Sequence, residues 1–271
     1  MSPLSRIVGV IVLAAAIGGC SNKSHTPSPS SPPPASPQRG DLIDNPPKKV
    51  ATYAPSDLLQ LLTGSDLGKI FLQLAYTPKC TITVYHLTYQ TVDPKGNITP
   101  ASGALMVPAS SRDSDCNGSR PILLYAHGTT TDRNFNLAQL DAADSAEGVL
   151  LAAVFAAEGY IVVAPNYLGY DNSTLGYHPY LIADQQSKEM IDAVTAARAT
   201  LPTSDVPGST DGGKLFITGY SEGGYVAMAT HSAMQTAGMT VTASAPMSGP
   251  YTLSAFGDAV FEGQVNASGP L

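Results

Sequence analysis

Residues 219–223 read GYSEG, a G-x-S-x-G pattern that places the hydroxyl of Ser221 between two glycines. The residues just before it, 215–218, are apolar or β-branched and predict a strand, whereas the alanine-rich segment after it predicts a helix. A serine on a tight strand-to-helix turn lies at the amino terminus of the helix, which favours developing negative charge. Ser221 is therefore a candidate nucleophile, and the alternative is a serine in an ordinary glycine-rich turn.

Three further segments have a fixed order relative to this pattern. HGTT at 127–130 follows a short apolar run, APNYLGY stands at 164–170, and HPY stands at 178–180. Together with GYSEGG at 219–224, this order resembles the α/β-hydrolase superfamily. Within that superfamily it is similar to bacterial relatives of the secretory lipases of the fungal lipase A type. The resemblance extends over roughly residues 80–250.

The resemblance implies a serine esterase or lipase that acts on carboxylic esters without a cofactor or metal. Ser221 would attack the ester carbonyl and form an acyl-enzyme that water hydrolyses. The backbone N–H of Glu222 would be one donor of the oxyanion hole, and the HG turn would supply the second. The pattern leaves Gly128, Thr129 and Thr130 open for that second donor, and Thr129 is preferred.

In this superfamily the triad acid and histidine follow the serine along the chain. Fifty residues follow Ser221, and the acid candidates among them are Asp258, which is preferred, and Glu262. His231 lies within the predicted helix, so it is not expected to reach the serine. The acid can be assigned only provisionally, and no histidine after Ser221 fits the base.

The remaining histidines of the hydrolase segment precede the serine. His127 is interpreted as shaping its loop, His178 as packing its loop or lining the mouth of the pocket, and His86 as part of an early strand. We therefore expect the triad histidine beyond residue 271, in a longer enzyme of which this chain is an amino-terminal part. These 271 residues alone are expected to be poorly soluble and to show little activity.

The amino-terminal segment has the pattern of an export signal. An uncharged apolar run follows Arg6 and ends in Gly18, Gly19 and Cys20, which is typical of a bacterial lipoprotein whose cysteine is acylated after removal of residues 1–19. Ordinary secretion is the alternative. Residues 20–50, rich in proline and serine, predict an extended tether. Residues 51–271 would then be a hydrolase domain on a bacterial membrane, the outer membrane if the host is Gram-negative.

Export into an oxidising compartment predicts a disulfide between the other two cysteines, Cys80 and Cys116, with two buried thiols as the alternative. The composition excludes other classes of protein. A formal charge of −7 argues against nucleic acid as a partner, and 43% hydrophobic residues argue against a disordered chain. We expect an ester or lipid substrate and a membrane contact through the lipid anchor.

Hydrophobic periodicity predicts an antiparallel hairpin followed by strands that alternate with helices. The fold class is therefore α/β with a mostly parallel sheet. The resemblance implies that this is an α/β-hydrolase fold that lacks its last strands. The predicted strands are 81–90, 101–107, 121–126, 160–164, 214–218 and 241–247, and the predicted helices are 55–62, 145–157, 185–199 and 222–236.

Two other functions stay open. A prolyl-oligopeptidase-like peptidase uses the same serine turn, but such enzymes normally carry a large amino-terminal propeller that this chain lacks. A non-catalytic surface lipoprotein on a degenerate hydrolase scaffold would explain the missing histidine, but not the intact serine turn and HGTT segment.

Overall fold

A mixed β-sheet of seven strands lies at the centre of the part of the chain that the structure describes. The computed structural model describes residues 36–64, 66–73, 77–110, 114–141, 145–201, 206 and 208–264, which from Pro37 onward belong to one compact unit. The strands are β1 (Lys48–Tyr53), β2 (Thr81–Val92), β3 (Ile98–Ala109), β4 (Gly118–Ala126), β5 (Ile161–Pro165), β6 (Ser209–Tyr220) and β7 (Ala243–Met247).

The strand order β1-β2-β3-β5-β4-β6-β7 divides the sheet into two parts. Strands β1, β2, β3 and β5 pair antiparallel, and β5, β4, β6 and β7 pair parallel. Because the carboxyl ends of parallel strands meet at one edge of a sheet, the segments after β4, β5 and β6 converge there. These segments contain His127, Asn166 and Ser221.

Six α-helices connect and cover the strands within the described residues. They are α1 (Pro55–Thr63), α2 (Asp66–Gln73), α3 (Ala146–Leu150), α4 (Ala183–Thr200), α5 (Glu222–Thr236) and α6 (Leu253–Phe261). Helix α4 packs against β2, β5 and α5, whereas α5 packs against β4, β6 and β7. The predicted helix 145–157 is wound in three forms, since α3 continues as a π-helix over Leu151–Phe155 and a 3-10 helix over Ala156–Glu158. Gly159, at φ 94°, ends it.

The α/β-hydrolase fold class predicted from the sequence is confirmed, and α5 has its predicted bounds. Three elements were not predicted: β1, α2 and α6. Strand β1 has the sequence KKVATY and lies largely exposed at the edge of the sheet, so it lacks the apolar pattern of a buried strand. Its formation depends on pairing with β2, which composition does not reveal.

The structure also differs from the predicted tether of residues 20–50, because residues 37–50 lie on the domain. The N–H of Gly40 donates to the carbonyl of Gln90 at 2.8 Å, and that of Ile43 donates to the carbonyl of Thr88 at 3.0 Å. The N–H groups that pair here belong to residues other than proline, so a composition rich in proline and serine does not exclude such pairing. The signal peptide and Cys20 lie outside the described residues.

Cys80 and Cys116, the pair predicted from the sequence, form a disulfide with a Cα–Cα distance of 5.4 Å. Cys80 directly precedes β2, and Cys116 ends a 3-10 turn over Ser114–Cys116 just before β4. Both residues are buried. The bond therefore ties the antiparallel part of the sheet to its parallel part.

Candidate active site

Ser221 lies on the tight turn between β6 and α5, with φ 57° and ψ −121°. A non-glycine residue in the left-handed region is strained and persists only where its surroundings fix it. Its N–H donates to the carbonyl of Met247 at the end of β7 (3.0 Å), and its own carbonyl accepts from the N–H groups of Gly224 (3.0 Å) and Tyr225 (3.3 Å). The turn is thus held from β7 and from the first turn of α5.

Glycine at position 223 allows helix and sheet to come close together. A Cβ at this position would lie 1.9 Å from the carbonyl oxygen of Ala126, the last residue of β4. Gly219 faces a similar limit, since its Cβ would lie 2.4 Å from the carbonyl oxygen of Gly223. The glycines of the G-x-S-x-G pattern therefore place the start of α5 directly against the end of β4, where HGTT begins.

His127, the first residue of that loop, is fully buried and engaged through both ring nitrogens. Nδ1 lies 2.7 Å from the carbonyl oxygen of Gly128, and Nε2 lies 3.1 Å from that of Asn166. The ring stacks on Tyr167 with centroids 4.1 Å apart. This histidine holds the loop after β4 to the segment after β5, in line with the shaping role expected from the sequence.

The HGTT loop offers fewer oxyanion donors than its sequence allows. The N–H of Gly128 donates to Oε1 of Glu147 at 3.1 Å and is therefore already used. Thr129 and Thr130 remain, and the predicted Thr129 is exposed with its hydroxyl 3.0 Å from the hydroxyl of Tyr180. The carbonyl of Thr130 accepts a hydrogen bond from Tyr170 at 2.6 Å.

Glu222 begins helix α5, so no carbonyl within the helix is available to its N–H. This is the donor direction that an oxyanion hole needs next to a nucleophile. Its carboxylate, by contrast, is buried. Oε1 accepts from Nε2 of His178 at 2.6 Å and from Nε2 of Gln186 at 2.8 Å, whereas Oε2 has no hydrogen-bond partner among the described residues.

The pairing of Glu222 with His178 was missed by the sequence reasoning, which used only the backbone of Glu222 and assigned His178 to loop packing or to the mouth of the pocket. Nδ1 of His178 lies 2.9 Å from the carbonyl oxygen of Leu168, and its side chain is only 9% exposed. Burial lowers the pKa of His178, but the hydrogen bond and charge of Glu222, with smaller contributions from Leu168 and Glu189, raise it above the usual value. The signal available was an acidic residue inside a glycine-rich motif at a helix amino terminus.

The other candidate residues have different surroundings. Asp258 and Glu262, the predicted acid candidates, are exposed, on α6 and just after it. His231 bonds to the hydroxyl of Ser244 at 2.7 Å, and His86 bonds to Asp171 at 2.7 Å. Among the described residues, no histidine nitrogen is hydrogen-bonded to the hydroxyl of Ser221, so the structure shows no general base in place.

The described residues contain neither a cluster of metal ligands nor a helix that could span a membrane. No group of three or more histidine, cysteine, aspartate or glutamate side chains there could hold a metal ion. Each helix in these segments falls short of the length or the apolarity that crossing a bilayer requires.

The chain is similar to several known proteins. The prolyl oligopeptidase family matches residues 150–265. The crystal structure of the rice cell wall degrading esterase LipA from Xanthomonas oryzae is similar, with 32% identity, a TM-score of 0.69, and coverage of 82% of this chain and 54% of that one. The Legionella pneumophila protein lpg1103 is similar at 26% identity and a TM-score of 0.63, with coverage of 77% of this chain and 52% of that one.

Candida antarctica lipase A matches at 13% identity and a TM-score of 0.47, covering 76% of this chain and 41% of that one. This identity and TM-score are too low to support a relationship, so the predicted similarity to the secretory lipases stays a prediction. The comparison with curated proteins gives no match. The chain spans about half the length of the Xanthomonas and Legionella structures. Its sheet order, its serine turn and its similarity to the Xanthomonas and Legionella structures show that the chain belongs to the α/β-hydrolase superfamily.

Proposed function

We propose that the protein is a serine hydrolase of the esterase type and that Ser221 is its nucleophile. The observation that carries the proposal is the strained turn of Ser221, which combines a left-handed backbone with the close contact of α5 and β4. The Ser221 oxygen would bond to the ester carbonyl carbon, its proton would pass to a base, and the alcohol would leave. Water would then hydrolyse the acyl-enzyme and return the serine.

In this proposal the oxyanion hole consists of the N–H groups of Glu222 and Thr129. Glu222 is the first residue of α5, so its N–H has no partner within the helix. Thr129 follows Gly128, whose N–H already donates to Glu147. Two such donors act where charge develops, and losing one typically slows the reaction about 10²- to 10³-fold. We assign the general base to a histidine outside the described residues, because each histidine within them is engaged elsewhere.

The test uses protein produced from the native gene, treated with a fluorophosphonate probe and assayed on p-nitrophenyl esters. We expect labelling and hydrolysis that both disappear in Ser221→Ala. Ser232→Ala is the matched control, since Ser232 is an exposed serine on the same helix. Labelling that survives in Ser221→Ala, or wild-type protein that is never labelled, would contradict the proposal. Absence of labelling would favour the non-catalytic lipoprotein.

A prolyl-oligopeptidase-like peptidase is the second candidate, favoured by the family match over residues 150–265. The esterase name of the Xanthomonas relative, which covers more of the chain, supports the ester substrate instead. The ratio of kcat/KM for p-nitrophenyl butyrate and for an alanyl-proline p-nitroanilide separates them. We expect the ester to be preferred by more than about 10³-fold, and a preference for the anilide would establish the peptidase.

We further propose that the protein is exported and anchored to a bacterial membrane through acylated Cys20, which lies outside the described residues. The cysteine after two small residues and an apolar run supports this. Cells fed an alkyne fatty acid should yield labelled protein in the membrane fraction. The label should be lost in Cys20→Ser, and a Cys20→Ser protein that stays labelled would contradict the anchor.

A further inference from the structure

We propose that His178 is a positioning residue of the oxyanion hole and acts through the side chain of Glu222. The inference rests on the proposed function, which gives the Glu222 N–H the role of oxyanion donor. Glu222 has two ends: its N–H begins α5 beside Ser221, and its carboxylate lies in a buried cluster with His178 and Gln186. Whatever holds the carboxylate therefore also restricts the peptide that carries the donor.

The hydrogen bonds of His178 define its protonation state. Nδ1 faces the carbonyl oxygen of Leu168 at 2.9 Å, and Nε2 faces Oε1 of Glu222 at 2.6 Å. Both oxygens accept hydrogen bonds, but a neutral imidazole donates from only one nitrogen. With the Glu222 carboxylate ionised, the doubly protonated ring is the form that donates to both oxygens.

The surroundings of His178 support a buried cation. The titratable groups around it are the carboxyls of Glu222 on α5 and Glu189 on α4, and burial raises the pKa of Glu189 to about 7. Aromatic rings enclose the imidazole: Tyr167 stacks at 5.5 Å, with Tyr170 at 4.8 Å and Tyr180 at 6.1 Å. The imidazolium therefore faces the Glu222 carboxylate inside a wall of aromatic rings.

The fold brings His178 to this position through two backbone features. Tyr167 adopts a φ of 62°, and its ring stacks on both His127 and His178. Gly169 has a φ of 96°, and a Cβ there would lie 2.6 Å from the carbonyl oxygen of Tyr177. The segment after β5 is thus folded tightly enough to bring His178 against the start of α5.

Both hydrogen bonds to the Glu222 carboxylate are made by the same oxygen. Oε1 receives both donors, and Oε2 has none within the described residues. Removing His178 leaves a buried carboxylate with one donor, which is unfavourable enough to move the side chain. The N–H would then be misplaced rather than lost, so the chemical step should slow while substrate binding stays the same.

The experiment compares His178→Gln, Glu222→Gln and the double variant in protein produced from the native gene. His231→Gln is the control, because His231 is a histidine of α5 bonded to Ser244. We expect kcat and the rate of fluorophosphonate labelling to fall about 10-fold or more in His178→Gln, with KM unchanged.

Because His178 acts through the Glu222 carboxylate, adding His178→Gln to Glu222→Gln should lower kcat little further. In wild type, kcat should fall as pH rises through the pKa of His178, and this fall should be missing in His178→Gln.

A second readout does not depend on activity. In the ¹⁵N-labelled full chain, the amide resonance of Glu222 should shift with the titration of the His178 ring, and this shift should vanish in Glu222→Gln. An amide resonance of Glu222 that does not shift as His178 titrates would overturn the positioning role. So would a fall in kcat in the double variant equal to the product of the falls in the two single variants. Wild-type protein that the probe never labels overturns the proposed function instead, and the amide titration still decides the link between His178 and Glu222.

Discussion

The two sides of the serine turn are packed very differently. On the side of β4 and β5, a continuous buried cluster contains His127, Tyr167, Glu222 and Gln186, with His178 at its edge. On the side of β7, the strand is half-exposed along its length, and α6 has no buried residue among those described. Phe261 at the end of α6 is 92% exposed.

This difference separates two parts of the proposed chemistry. Of the two proposed oxyanion donors, the N–H of Glu222 lies on the tightly packed side, where fixed dipoles need no reorganisation during the reaction, whereas Thr129 is exposed on the HGTT loop. The candidate acid Asp258 lies on the open side, exposed to solvent. Substitutions should therefore have large effects on the packed side and small ones on the open side.

The largest difference is expected between two glycine-to-alanine substitutions. In Gly223→Ala the new Cβ would lie 1.9 Å from the carbonyl oxygen of Ala126, and backbone on both sides prevents relief. We expect a loss of more than about 4 kcal/mol in the free energy of unfolding, or no folded protein. Gly257 in α6 has open space around it, so Gly257→Ala should leave stability unchanged or raise it by up to about 1 kcal/mol. Urea denaturation measures both, and equal losses would contradict the comparison.

Loss of the disulfide should follow in size. Cys80 and Cys116 are 36 residues apart, and a loop of this length corresponds to about 4 kcal/mol in the chain-entropy model. The double variant Cys80→Ala/Cys116→Ala should show this loss in urea denaturation. Hydrogen exchange should quicken in β2 and β4, while α6 exchanges fast in both proteins. Acceleration confined to α6 would show that the bond does not stabilise the packed side.

A pH dependence of up to about 3 kcal/mol is expected from buried Glu189. Burial raises its pKa to about 7, although hydrogen bonds from Gln185 and the Leu168 N–H act in the opposite direction. The folded state then holds a proton that the unfolded state releases at lower pH. This stability is fully present below about pH 4.5 and is lost as pH rises through 7.

Glu189→Gln should flatten the fall in stability between pH 5 and pH 8, as measured by thermal unfolding across that range. Glu262 follows α6 and is exposed, so Glu262→Gln should keep the wild-type slope. A Glu189→Gln protein with an unchanged slope would assign the pH dependence to other groups.

The sequence predicts the secondary structure and burial of a residue where hydrophobic periodicity determines them. It does not predict them where they depend on a residue far away in the chain. The short apolar run of β5 is buried along its whole length, and its type follows from its pattern. In α4 the apolar residues Met190, Val194 and Ala197 are buried, but so are Gln186 and Glu189. Polar residues of this kind normally face solvent, and only contacts from other segments explain their burial.

The same contrast holds at the site. Ser221 was identified because a local pattern of glycines and a strand-to-helix boundary defines its turn. The bond between Glu222 and His178 joins residues 44 positions apart, and no local pattern records it. The N–H of Gly128 is likewise used by Glu147, which follows it by 19 positions. Sequence spacing could therefore point to the HGTT loop as a candidate, but it could not show that the N–H of Gly128 is already used.

The smallest effect is expected from Tyr180→Phe, which removes the hydroxyl 3.0 Å from that of Thr129. This contact is exposed, so water replaces it at a cost of about 1 kcal/mol or less. We expect kcat to fall only about 2- to 5-fold and unfolding to be unchanged. Tyr177→Phe is the control, since Tyr177 is equally exposed in the same segment and should behave as wild type. If Tyr180→Phe slowed the reaction as much as His178→Gln does, the surface contact would matter as much as the buried cluster. The oxyanion donors would then be held in place by the exposed loop.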